Sequence, residues 1–136
     1  MSQFALEYFF LVFIAASGVI QAAAAYSGLR GLWFFRSRGV TAAVGVALGV
    51  AAFLWFFLSG PRNLPDTNGG LDGTKQTGLF SAAAAGAIIF TLLLSSALNA
   101  TLGKHTQELP WGLEALRETS FARALLSTVR RLWKAF

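Results

Sequence analysis

The chain has 136 residues, 55% of them hydrophobic and only 12% charged, where a soluble domain averages about a quarter charged. It contains no cysteine, which excludes disulfides, thiolate nucleophiles and cysteine-based zinc or iron–sulfur sites. In so apolar a chain the net charge of +5 points to anionic lipid headgroups rather than to nucleic acid.

The first apolar block, residues 4–26, follows Met1, Ser2 and Gln3 without a lysine or arginine. A secretory signal needs a basic start and a shorter apolar stretch, so this block reads as a retained helix. The second block covers residues 40–58 and the third 78–102. Each has the roughly 20 residues that a helix needs to cross about 30 Å of hydrocarbon. Backbone amides in lipid must be satisfied within the segment, and alternating strand patterns are absent, so all three are predicted to be helices. The expected fold is an all-α membrane protein forming one domain, with three transmembrane helices and a C-terminal amphipathic helix on the cytoplasmic surface.

Basic residues set the expected orientation. The first connection holds Arg30, Arg36 and Arg38 and no acid, and the tail carries Lys104, Arg117, Arg123, Arg130, Arg131 and Lys134. Placing both inside leaves the amino terminus and loop 60–77 outside, with Trp33 to Phe35 and Trp55 to Phe57 at the two interfaces. That outer loop is dense in Gly, Pro, Asp and Asn and reads as a compact series of turns. Its Asp66, Asn68 and Asp72 do not make a calcium loop, because Leu71 and Thr77 stand where glycine and glutamate are required. The tail, 109–136, repeats Leu113, Leu116, Leu125, Leu126, Val129, Leu132, Trp133 and Phe136 at helical spacing. Pro110 suits a first helical position, and the basic amphipathic helix it would open is expected on the headgroup plane or on a partner protein.

Small residues four apart mark candidate packing seams: Gly18 and Ala22, Gly45 and Gly49, Ala82 and Gly86. They allow close backbone approach, expected chiefly within the bundle and otherwise toward a partner. A polar stripe, Thr91, Ser95 and Asn99, shares one face of the third helix, and Ser17 and Gln21 stand at matching depth in the first. Such groups need partners in lipid, so interhelical hydrogen bonding is expected, with a small polar pocket for a headgroup, quinone or substrate group as the alternative. Arg30, Arg36, Arg38, Arg130, Arg131 and Lys134 are the expected headgroup contacts. Glu7 falls near the outer end, and the sole histidine, His105, cannot supply a bis-histidine haem site within one subunit.

With no nucleophile–base pair, metal cluster or mid-membrane charge in the sequence, no catalytic role and no cofactor are expected. The leading expectation is an accessory or scaffold subunit of a larger integral membrane complex of the bacterial cytoplasmic membrane. Respiratory and photosynthetic assemblies are the candidates, and the partners would be other membrane subunits or copies of itself. In size, outside-to-inside topology and basic end the chain resembles three-span phage holins, which implies a homo-oligomeric, membrane-permeabilising alternative. A small lipid- or substrate-binding transporter component, built on Gln21, Ser95 and Asn99, is a third.

Overall fold

The structure is a computed structural model that describes residues 2–60, 71–102 and 109–136. Four α-helices follow in order: α1 (Gln3–Ser27), α2 (Arg38–Leu58), α3 (Gly73–Leu98) and α4 (Phe121–Ala135). Short 3-10 turns lie at Arg30–Leu32 and Gly112–Arg117, and no strand occurs among the described residues. The first three helices are long and apolar enough to cross a membrane. The central part of the turn-rich loop, 61–70, and Lys104 and His105 lie outside the described residues.

Local chemistry explains the helix ends. Ser2 caps α1 by accepting from the Ala5 N–H, and Gly28 closes it in the left-handed region at φ 73°, ψ 23°. The Leu29 N–H returns to the Ala24 carbonyl and the Gly28 N–H to Ala25, the paired closure that a glycine just past a helix end allows. Ser37 caps α2 in the same way as Ser2 caps α1, accepting from Val40. Asp72 caps α3 by accepting from the Lys75 N–H at 2.8 Å, and that backbone hydrogen bond holds its carboxyl below the ordinary value.

Three boundaries differ clearly from the sequence expectation. The third span begins at Gly73 rather than 78 and ends at Leu98 rather than 102, so residues 73–77 belong to the helix and not to the loop. The Asp72 cap starts it early, before the apolar run begins. Asn99, expected inside the helix, is its C-cap. The tail is also not one helix from Pro110. Gly112 takes a positive φ of 66°, a 3-10 turn follows, and α4 starts only after Ser120.

α1 is the centre of the assembly. α2 and α3 each pack on α1 rather than on each other, and α1 is the most buried of the three spans. α2 runs antiparallel to α1: Phe4 meets Phe56 at a ring separation of 5.9 Å, and Gly18 meets Gly45 further along. α3 runs parallel to α1, with Phe13 against Phe90 at 5.5 Å. Leu11, Ala52 and Phe56 form the buried apolar cluster between α1 and α2, with Phe4, Tyr8, Ile14 and Ala15 around it. Of the two expected aromatic belts, Trp33 and Phe56 are in fact buried, whereas Phe35, Trp55 and Phe57 are exposed.

The expected seam between α1 and α2 forms. A methyl built on Gly45 would stand 2.6 Å from the Gly18 carbonyl oxygen and 2.7 Å from the Ala22 nitrogen. One built on Gly18 would stand 2.5 Å from the Gly45 carbonyl oxygen and 3.0 Å from the Gly49 nitrogen. Backbone therefore lies on backbone, the approach that small residues permit in lipid. Gly49 itself has open space where a methyl would go. On α3 the expected pair is displaced by one residue. Ala82 is exposed and Gly86 meets only the Phe13 ring at ordinary distance, while Ala83 and Ala87 are fully buried. Ala83, Ala87, Thr91 and Ser95 recur every four residues, so the small seam and the polar stripe of α3 are one continuous face.

Candidate functional site

The sequence places its polar intramembrane residues near one end of the helices, and the structure gathers the first connection and the tail at that same end. The 3-10 turn at Arg30–Leu32 packs on the turn at Gly112–Arg117. Gly31 is the contact point: a methyl there would collide with the Thr119 carbonyl oxygen, so only glycine allows this backbone approach. Ala115, Leu116 and Ala124 bury a small second core with Leu29, Leu32, Leu109 and Phe121. This basic end carries Arg30, Arg36, Arg38, Arg117, Arg123, Arg130, Arg131 and Lys134.

The buried polar side chains hold that end together. Gln21 is 1% exposed, and its amide bridges the first connection on both sides. Its Nε2 donates to the Leu32 carbonyl at 2.9 Å and its Oε1 accepts from the Phe34 N–H at 3.0 Å. The side chain thus behaves like a short piece of neighbouring backbone, satisfying one donor and one acceptor of a non-helical segment. The Trp33 indole N–H donates to the Ala24 carbonyl at 3.0 Å, pinning the ring inward. Asn99 Nδ2 donates to the Trp33 carbonyl at 2.7 Å and to the Ser95 carbonyl at 2.9 Å, tying α3 to the same segment. Thr41 donates to Phe35 and Ser37 carbonyls. Leaving such buried groups unpaired costs about 1–3 kcal/mol each, so the set fixes the connection firmly.

The five residues of the expected polar stripe therefore have different surroundings. Gln21 and Asn99 bond the backbone of the connection, not each other. Ser17 donates to the Phe13 carbonyl and Ser95 to the Leu92 carbonyl, both within their own helices. Thr91 Oγ1 is buried without a hydrogen-bond partner among the described residues.

The expected headgroup cations also divide. Arg38 donates to the Tyr26 carbonyl at 2.8 Å, neutralising the carbonyl end of α1. Arg131 donates to the Leu109 carbonyl and lies 5.2 Å over the Trp111 ring. These two are engaged by the fold. Arg30, Arg36, Arg130 and Lys134 are exposed, and their side chains make no hydrogen bond or ion pair among the described residues. Arg123, which the sequence did not single out, donates to the Leu102 carbonyl at 3.0 Å, beside the Thr119 hydroxyl bonded to the same oxygen. The signal for it was available only as a helical position facing away from the apolar stripe.

Two of the concave sites among the described residues bear on function. At the basic end a cleft of about 480 Å³ opens between the first connection and the end of α3, lined by Arg30, Trp33, Phe34, Arg36, Asn99 and Thr101 among others. Between α2 and α3, over α1, runs an apolar groove of about 530 Å³. Ala15 and Ala16 lie in it, and Val19, Phe53, Phe80 and Ile88 line it. Comparison with protein families, curated proteins and solved structures finds no match to this chain.

Proposed function

We propose that this chain is a non-catalytic structural subunit of a larger integral membrane complex, of the energy-transducing kind, in the bacterial cytoplasmic membrane. The observation that carries the reading is the apolar groove. Three helices that closed on one another would bury it, but here α2 and α3 splay to either side of α1 and leave it open. Small residues at Ala15 and Ala16, with Phe53 and Phe80 among the larger lining residues, suit a helix from a neighbouring subunit, because packing in lipid depends on close van der Waals fit.

The amino terminus lies outside and the carboxyl terminus inside in this reading, since the basic end belongs on the cytoplasmic side. α4 then lies in the headgroup plane. Its buried contact is through Ala124, while Leu125, Leu126, Val129, Leu132, Trp133 and Phe136 form an exposed stripe for the acyl chains. Arg130 and Lys134 stand on the flank of that stripe, at the level of lipid phosphates.

Gentle solubilisation followed by native mass measurement tests the proposal. The wild-type chain is expected to travel with an unrelated membrane subunit, and Ala16→Phe, which fills the groove, is expected to release it. Leu93→Phe, on exposed α3 surface away from the groove, should leave the assembly intact. A wild-type chain that travels alone, or an assembly indifferent to Ala16→Phe, would overturn the reading.

A further inference from the structure

We propose that the cleft at the basic end binds the phosphate of a net-negative glycerophospholipid. The inference is independent of the subunit reading above. Arg30 and Arg36 both line the cleft, and neither guanidinium has an ion pair or hydrogen bond among the described residues. Among the described residues no carboxylate lines it. Two guanidinium groups sharing one concave surface repel each other unless an anion lies between them, and guanidinium forks match phosphate oxygens in geometry as well as charge.

The rest of the lining is divided as a lipid is divided. Asn99 and Thr101 add polar groups, whereas Phe34, Phe35, Leu98 and Leu102 offer an apolar wall suited to the first carbons of acyl chains. The cleft is also held in shape before any ligand arrives. Gln21 fixes Leu32 and Phe34, and Asn99 and the indole N–H of Trp33 fix the residue between them. A site ordered in advance loses less affinity to immobilisation. Contrast within the same end sharpens the assignment: Arg38 and Arg131 are already satisfied by carbonyl oxygens. A zwitterionic headgroup would bring an ammonium toward two uncompensated guanidiniums, so phosphatidylglycerol is favoured over phosphatidylcholine.

The test uses the full chain in detergent micelles supplied with equal amounts of phosphatidylglycerol and phosphatidylcholine, with retained lipid read by native mass spectrometry. Phosphatidylglycerol is expected to be retained about tenfold over phosphatidylcholine, and Arg30→Gln with Arg36→Gln to remove that preference. Lys75→Gln with Arg117→Gln, the same change in charge at exposed cations outside the cleft, is expected to leave it. Arg30→Lys with Arg36→Lys keeps the charge and should retain a weaker preference for the anionic lipid. Millimolar inorganic phosphate, added as a separate arm, should not displace the lipid. Displacement by phosphate would reassign the cleft to a free anion and overturn the lipid proposal. Equal retention of the two lipids, or equal loss from both glutamine pairs, would overturn it as well. Circular dichroism of each variant confirms that the helices are intact.

Discussion

Gly45 and Gly49 satisfy the same small-residue pattern, yet only one should be sensitive to an added methyl. At Gly45 the new carbon would meet two backbone atoms of α1 at 2.6 and 2.7 Å. Ordinary contact begins near 3.4 Å, and backbone cannot rotate out of the way as a side-chain tip can. The helices must therefore separate by roughly half an ångström to one ångström, a gap that already forfeits about a quarter to a half of each dispersion contact along the seam. Overpacking of this kind costs about 1–3 kcal/mol, and the better helix propensity of alanine returns up to about 1 kcal/mol. The net expectation for Gly45→Ala is a loss of about 1–2 kcal/mol. Gly49→Ala has open space and should be neutral or slightly stabilising. Gly18→Ala should resemble Gly45→Ala, and the double variant should cost less than the two separately, because one separation accommodates both methyls. Reversible unfolding in mixed micelles, followed by circular dichroism, measures all four. Equal effects at Gly45 and Gly49, or no loss at Gly45, would refute the backbone-contact reasoning.

Gln21→Leu leaves the Leu32 carbonyl and Phe34 N–H without partners and should cost about 1–3 kcal/mol, with hydrogen exchange at Phe34 accelerated before exchange within α1. Gly31→Ala should undock the tail without melting the spans, so limited trypsin digestion is expected to cut at Arg117 or Arg123 sooner than in the wild type. Thr91→Val removes a buried hydroxyl that has no partner among the described residues, so stability should be unchanged or raised, by up to about 1 kcal/mol, in the same micelle assay.

The spans were legible because charge is so nearly absent from them, and the α1–α2 seam because glycine four residues from a small residue appears in both helices. The α3 seam was legible in principle. Stepping back four residues at a time from Asn99 through Ser95 and Thr91 reaches Ala87 and Ala83, but the unbroken run from Ala82 to Ala87 offers every register and Gly86 draws the eye to the wrong one. The partners of Gln21 and Asn99 were beyond reach of periodicity. They are main-chain groups of a non-helical segment, and helical spacing says nothing about where such a segment folds back. The tail was read as one helix because its apolar spacing survives the interruption. Gly112, in the left-handed region, and Ser120, at the true start of α4, were the local signs of the break. Arg38 and Arg131 were read as lipid contacts on charge alone, although a helix end and an unpaired carbonyl compete for the same guanidinium.

The bridge made by Gln21 bears on how the protein is assembled. Both of its partners lie within thirteen residues of it, so they leave the ribosome shortly after it and well before any of α3. A hairpin of α1 and α2 can thus enter the bilayer with its most polar side chain already satisfied and its closest helix contact already made. α3 arrives later and fastens to the finished hairpin through Asn99, a bond spanning 66 residues. This order of contacts predicts insertion as a self-contained pair followed by a single addition, with a defect at Gln21 felt by the nascent chain before a defect at Asn99.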